Sequence, residues 1–533
     1  MKRALIVAAA IAFAAIGVAG STATPSSSLD RQSAAEKILK SQSAKFLTSP
    51  ALVAMSMIAR RDHQLAPGQL KLGPARPASG GLGPPSADFT NVRVNNPALD
   101  TNQVDQTTQS ETSTAVAGSH VAVGYNDSQR TPLFLEAGSD LSGYSYSTDG
   151  GASFTDGGDL PNAPEFINFG DPWLASDRSG NMYYSTLAFD AFNFNLDVAV
   201  AKSTDGGRTW SDPVPVKRPP IEVFYTGDKE ALAVGPDPAR SSRDDIYVAY
   251  DDFNFDFVNN DFFTGLPVAR STDGGATWQV SYADQNPIDF SGCSFVQYIG
   301  AFPIVDHTGN LYVAAEKIAV DDPDCTGVPP TFSEWIFKST DGGQSFAPGV
   351  KIADATTAVP NGLLALGPGK YMRDLELPTM AFLRNDLYVA WNDGASGKSH
   401  VRLAKSTDGG ATWTLSWATQ GSNDEVQPSL SGDSDLHLLF YRRNNDNTLD
   451  VLVGNSSNGS SFVTRRVTTQ SSPGVFTFPP FDPIIAFGYM GDYISNVSDG
   501  THQYFAWGDN RDRVTNFMWP NGRNDPDVFF AKQ

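Results

Sequence analysis

The chain has 533 residues and a formal net charge of −21, with 59 acidic against 38 basic side chains. That balance excludes a nucleic-acid binder, because phosphates demand clustered Lys and Arg, and the acidity reads as a solvated surface. The length allows more than one domain, but internal repetition overrides that prior.

Residues 1–20 read as a signal peptide. Lys2 and Arg3 form the charged start and Ala4 to Ala19 the apolar stretch, and the small residues that follow offer cleavage after 20 or 23. The apolar run is short and Ala-rich and no Cys follows it for lipidation, which disfavours an anchor. No later segment is long and apolar enough to span a bilayer, so the expectation is an exported protein, periplasmic or secreted. Residues 21–65 hold a helix-like stretch that Pro50 interrupts, predicting two short helices that serve as a prosegment or a docking arm, or disorder in their place. Residues 66–87 are rich in Pro and Gly and read as a linker.

From residue 88 to residue 533 the chain repeats a unit. Its clearest strands are HVAVGYND from His120, NMYYSTLAFD from Asn181, DIYVAYDD from Asp245, NLYVAAEK from Asn310, DLYVAWND from Asp386, DLHLLFYRR from Asp435 and QYFAWGDNR from Gln503. After the next strand of five units comes a nearly constant phrase: STDGGASF from Ser147, STDGGRTW from Ser203, STDGGATW from Ser271, STDGGQSF from Ser339 and STDGGATW from Ser406. An Asp heading a turn accepts backbone N–H bonds, paired glycines take φ > 0 without steric cost, and the closing aromatic packs between sheets. Asp149, Asp205, Asp273, Asp341 and Asp408 are therefore expected to be structural; a metal would need more ligands than one Asp per turn. The sixth unit carries an eroded copy, NSSNGSSF from Asn455, with Ser457 at the Asp position and Asn458 at the first Gly. The seventh lacks a fourth strand, and Phe89 to Asn96 can supply it, closing the array and removing its edges.

The phrase S-x-D-G-G-x-[ST]-[WF] resembles the Asp-box, or BNR repeat, of the sialidase superfamily of β-propellers. The resemblance implies an all-β propeller, which the unit count makes seven four-stranded blades, with six as the alternative, and places the boxes away from the functional face. For catalysis it implies an arginine triad gripping a carboxylate, a Tyr nucleophile activated by a Glu, and an Asp acid/base. The Phe/Tyr-Arg-Ile-Pro phrase that carries the first arginine is missing. By position Arg373, Arg442 and Arg511 are the candidates for the triad, Tyr441 and Tyr493 for the nucleophile, and Glu376 and Glu425 for its partner.

The long loops lie opposite the boxes, where Glu111, Asp171, Lys229, Glu230, Arg373, Glu376, Glu425, Asp492 and Tyr493 are expected to converge, with Asp127, Asp251, Asp252, Glu316, Asp393, Arg442, Asp509 and Arg511 at the ends of second strands. Phe192, Phe194, Phe253, Phe255 and Phe257 either form a stacking surface for sugar or a partner protein, or tuck into a satellite core. Cys293 and Cys325 are a disulfide candidate in an oxidising compartment. The histidines show no metal-ligand spacing and there is no contiguous calcium loop, so no cofactor is expected, with a divalent cation on the acidic face left open. The functional expectation is a glycosidase-like or polysaccharide-lyase-like propeller, monomeric, acting on or binding carbohydrate. The alternatives are a non-catalytic glycan- or protein-binding module and a cell-envelope assembly factor whose partner is an envelope or extracellular protein.

Overall fold

The computed structural model describes residues 89–99, 109–129, 140–163, 165–190, 195–220, 223–256, 258–259, 261–288, 293–359, 362–474, 490–515 and 521–533. The segments read as signal peptide, arm and linker (1–20, 21–65 and 66–87) lie outside them. Among the described residues the chain is all β, with almost no helix beyond a 3-10 turn at Pro97–Leu99. None of their helices is long and apolar enough to cross a membrane.

Among the described residues strands pair antiparallel with their sequence neighbours, giving five four-stranded sheets, one nine-stranded sheet and a two-stranded hairpin. The nine-stranded sheet joins two consecutive sets of strands, 167–215 and 223–287, through one parallel bridge between Thr226 and Leu196. Numbered along the chain, unit 1 spans 109–159, unit 2 167–215, unit 3 223–287, unit 4 295–355, unit 5 379–417, unit 6 425–466 and unit 7 495–532. Unit 7 has three strands of its own, and its fourth is Val92–Arg93, paired with Phe530 and Phe529.

One strand from each unit lines a cavity of about 420 Å³. These strands are Gln109–Ala117, Trp173–Ser176, Val223–Asp237, Phe295–Val305, Thr379–Leu383, Glu425–Gly432 and Ser495–Ser498; each lies against the next, and the last against the first. The strands outside them alternate side chains to two covered faces, so the apolar cores form between units. Units 1 and 2 share Ala122, Leu174, Tyr184 and Trp210, and units 5 and 6 share Val401, Leu403, Leu438 and Phe440. Units 7 and 1 share Tyr504, Phe530, Val121 and Val123 in the same manner.

The repeated turns build one edge of each seam. In the second copy Ser203 Oγ donates to Asp205 at 2.8 Å, while Gly207 N donates to Ser203 Oγ at 2.9 Å, and Thr209 donates to Asp205 through N at 3.0 Å and Oγ1 at 2.8 Å. The other four repeat the pattern around Asp149, Asp273, Asp341 and Asp408. The closing aromatic packs on the preceding unit: Trp413 on unit 4, Phe346 on unit 3, and Phe154 of unit 1 on Phe530 of unit 7 at 5.0 Å. The second glycine lies close to the same neighbour; at Gly151, with φ +87°, a Cβ would sit 2.3 Å from Phe530. In the eroded copy Asn458, not Ser457, takes the acceptor role, receiving Ser456 Oγ at 3.0 Å and the N–H groups of Ser460 and Ser461 at 2.9 and 3.2 Å. That turn has lost one glycine, and its acceptor survives as an amide.

One expectation about the loops is corrected. The Phe-rich stretch after Asp251 continues its strand to Asp256 and resumes at Asp261, because Phe253 and Phe255 alternate with polar residues at the strand period. A further hairpin, Leu363–Ala365 with Tyr371–Arg373, stands between units 4 and 5. The disulfide between Cys293 and Cys325 ties together two loops of unit 4.

Candidate functional site

At the end of the cavity away from the repeated turns, the innermost strands bulge. Ladder registers slip between Ser110 and Ser113, Asp228 and Ala231, Ile299 and Phe302, and Val426 and Ser429. Each slip contains a residue with positive φ: Glu111 at 52°, Lys229 at 49°, Gly300 at 68° and Gln427 at 51°; Asp171 at 53° holds the corresponding place in unit 2. A bulge re-aims its side chain, and here it aims them at one another. The left-handed conformation costs a non-glycine residue about 1–2 kcal/mol, so four such residues together mark a place the surroundings over-determine.

Five charged groups meet there. Lys229 Nζ lies 3.3 Å from Glu111, 2.9 Å from Asp171 and 2.7 Å from Asp492. Arg373, delivered by the extra hairpin, donates to Asp492 through Nε at 2.6 Å and also through Nη2, with Glu111 at 3.8 Å. Asp492 N donates to Glu111 Oε1 at 2.9 Å, and Asn126 bridges Glu111 to the Asp171 N–H. The acids belong to units 1 and 2 and to the approach to unit 7, the lysine to unit 3.

Their electrostatics separate them. Burial, reinforced by Asp171 and opposed by Lys229, pushes Glu111 up to about 8. Burial also opposes ionisation of Asp492, but Arg373 and Lys229 override it and hold that carboxyl at about 2. Glu230 is raised well above the usual range by burial and by Asp171, and its oxygens find no hydrogen-bonding side chain. Burial works against the charge on Lys229, yet Asp171, Asp492 and Glu111 raise it. Glu230, Asp492 and Lys229 line one narrow recess with Gln427, Trp173 and Tyr493. The rings of Trp173 and Tyr493 are 5.2 Å apart, and Phe302 meets Trp173 edge-on at 5.3 Å.

The candidates drawn from the family pattern fall in different places. Arg373 and Tyr493 belong to the cluster; Tyr493 donates its hydroxyl to Pro172 O at 2.9 Å. Arg442 pairs instead with Glu425 at 2.7 Å, and Arg511 with Asp509 at 2.5 Å while lying 4.2 Å from the centre of the Phe529 ring. The three arginines are thus held by three different carboxylates rather than sharing one site. Tyr441 is buried, donates to Gly508 O at 2.7 Å, and is raised well above the usual phenol range by burial, which removes it as a nucleophile. Glu376 accepts from Ala358 N at 2.8 Å and is raised to about 7 by burial, in the company of Glu316 and Glu334.

The stacking-surface reading fails for Phe253 and Phe255, which are 3% and 1% exposed and stack with Phe295 and Phe224 in the core between units 2 and 3. Phe192, Phe194 and Phe257 lie outside the described residues. Among the described residues no three His, Cys, Asp or Glu side chains are grouped as metal ligands. Trp173 and Gln427 were missed as site residues. The Gly-Asp pairs Gly170-Asp171 and Gly491-Asp492, just ahead of two innermost strands, and Gly227-Asp228, inside a third, could have pointed to the level of Trp173, whereas nothing of the kind stands beside Gln427.

No protein-family model and no curated protein matches the chain. Solved structures do align with it. A protein of unknown function from Dyadobacter fermentans is 14% identical over 70% of this chain and 96% of its own, with a TM-score of 0.40. The endosialidase of phage phi92 is 11% identical over 84% of this chain and 69% of its own, at 0.43. The GH93 α-L-arabinofuranosidase of Fusarium graminearum is 13% identical over 69% of this chain and 93% of its own, at 0.40. At such scores these likenesses carry no argument about the fold or reaction of this chain.

Proposed function

We propose that the chain is an exported, sialidase-like Asp-box propeller of seven blades that acts on carbohydrate at the channel end opposite its boxes. Closure by the Val92–Arg93 strand is supported by the packing of unit 7 on unit 1, which repeats that between consecutive units. Export rests on the charged and apolar start of the sequence, and the carbohydrate reading on the resemblance of the repeated phrase to the Asp-box.

The observation that carries the chemistry is that Glu230 and Asp492 line one recess while their surroundings drive the two carboxyls in opposite directions, Glu230 up through burial and Asp492 down to about 2 beside Arg373 and Lys229. A neutral carboxylic acid beside an ionised carboxylate is the division of labour that acid/base cleavage of a glycosidic bond requires. Trp173 and Tyr493 supply apolar ring faces for a sugar. Sialoside hydrolysis is not part of the reading, because Arg373, Arg442 and Arg511 do not share a site; an aryl-sialoside assay is expected to show little or no turnover.

The test is release of reducing ends from a panel of polysaccharides by the purified protein and by Glu230→Gln. The amide preserves the neutral, buried state and so the fold, but cannot give up a proton; turnover is expected to fall at least a hundredfold. Glycan binding without turnover in either protein would favour the non-catalytic module, a reading that the burial of Tyr441 and the internal pairing of the arginines also support. Binding only to an envelope protein would favour the assembly factor.

A further inference from the structure

We infer that the sugars accepted at this channel end carry no carboxylate, sulfate or phosphate: the site takes non-anionic glycans. The inference rests on the carbohydrate reading above and narrows it. An anion entering a narrow recess lined by buried side chains needs a counter-charge there, since burying an unpaired charge is costly. Four cations at this end are already committed to carboxylates, and Lys317 lies over the Trp335 ring at 4.8 Å. Lys229 is shared among Glu111, Asp171 and Asp492, Arg373 is held by Asp492, Arg442 by Glu425 and Arg511 by Asp509. Three of these acids, Glu111, Glu425 and Asp509, are fully buried, so a ligand anion would have to break an existing buried ion pair to bind.

Acidic groups also crowd the same level of the fold. Asp251 stands across the ladder from Asp228, Glu316 across from Ile299 and Asp127 across from Gln109, all next to the bulges and all buried. Burial and the neighbouring acids raise Glu230 and Asp251 well above the usual carboxylate range. Negative charge is favoured here only on Asp492, where Arg373 and Lys229 already stand, and a ligand anion placed beside Glu230 or Asp251 meets the same opposition that raises those acids. A neutral sugar meets no such cost, and its hydroxyls can both give and accept hydrogen bonds.

Matched pairs of ligands test this on the full chain: lactose against sialyllactose, and gluco-oligosaccharides against oligoglucuronates of equal length, titrated calorimetrically. The neutral member of the pair that binds is expected to bind at least tenfold more tightly than its anionic counterpart. Asp492→Asn releases Arg373 and Lys229 from their shared carboxylate and is expected to narrow that gap tenfold or more by strengthening the anionic partner. If Asp492→Asn does not fold, Asp171→Asn, which frees Lys229 from the carboxylate 2.9 Å away, makes the same comparison. An anionic ligand bound as tightly as its neutral counterpart by the unmodified protein overturns the inference and leaves the carbohydrate reading standing. Failure of every glycan to bind overturns the carbohydrate reading, and the inference with it.

Discussion

Asp408, in a repeated turn, and Glu111, at the far end of the innermost strands, are both acids, and their surroundings drive them in opposite directions. Asp408 lies on the surface, where hydrogen bonds from Thr412 and Ser406 bring its carboxyl down to about 2. Glu111 has no solvent contact, and burial takes it up to about 8. The turn end surrounds its acids with donors, from backbone N–H groups and hydroxyls two to four residues along the chain; the opposite end surrounds them with one another and leaves two cations to balance the account. Aspartates on the first kind of ground are fasteners, whereas on the second Glu111 keeps a proton near neutrality and Asp492, beside Arg373 and Lys229, does not. Residue type therefore says little about role here, and the source of the hydrogen bonds says a great deal.

Removing the cation that three acids share should break the far end most severely. Lys229→Met leaves Glu111, Asp171 and Asp492 with only Arg373 among them, and loss of one partner from a buried ionic cluster costs about 3–5 kcal/mol. Urea unfolding measures it, and a loss below about 1 kcal/mol would show that the cluster is not the tie its distances suggest.

At the turn end the largest single effect is expected from Gly151→Ala. The φ of +87° and the 2.3 Å approach of a Cβ to Phe530 oppose the methyl group together, for a cost of about 2–3 kcal/mol. Gly118→Ala, with φ +62° and open space around it, isolates the backbone share at about 1 kcal/mol. Equal melting temperatures for the two variants would mean that the contact between units 1 and 7 bears no load.

Asp205→Ala removes the acceptor for Ser203 and Thr209 in one turn, and about 1 kcal/mol should go with it, as for a lost helix cap. The same substitution at Asp149 or Asp408 should act in the same direction, which melting curves would check.

The finest contrast lies in pH. The box carboxyls of Asp149, Asp341 and Asp408, held at about 2, contribute stability that is present above their ordinary value of 3.8 and is lost as pH falls toward about 2. Glu111 works in reverse: its folded value of about 8 exceeds its ordinary 4.5, so stability falls as pH rises through that interval. Glu111→Gln should flatten the slope between pH 4.5 and 8 and leave the acid limb unchanged. An unaltered neutral limb in that variant would place the titration elsewhere, among Asp127, Asp197, Asp252, Glu376 and Asp527, which burial raises to about 7, 8, 6, 7 and 8, as the next groups to change.

Much of the fold was legible in the sequence because the repeated phrase is local. Its hydrogen bonds run from Asp149 to Ser147 and Ser153, and its strands alternate with a period of two, so a short window contains the whole cause. The site was legible as a list of acids and bases converging on one end, and Glu111, Asp171, Lys229, Arg373 and Asp492 do meet there. What escaped was non-local or conformational. Nothing near Arg373 in the chain announces that a small hairpin carries it to Asp492, and the left-handed φ of Glu111 and Lys229 leaves no trace in side-chain pattern. Family analogy misdirected Arg442, Arg511 and Tyr441, because strand-end position alone does not say which carboxylate a guanidinium will reach. The Phe-rich stretch misled in a different way: alternation at Phe253 and Phe255 was a strand signal inside what read as a loop.

The pairing of Val92 and Arg93 with Phe530 and Phe529 brings two distant parts of the chain side by side in one sheet. A short covalent bridge from Gln533 to Phe89 would span neighbouring strands, so the order of the polypeptide could be rotated, with new ends opened at an exposed turn such as Gly397, without disturbing any sheet. The same joint is held by backbone hydrogen bonds and side-chain packing, with no bond of the chain crossing it. A force applied between residues 89 and 533 would therefore load this joint before any other, unfastening unit 7 while the remaining seams were still intact.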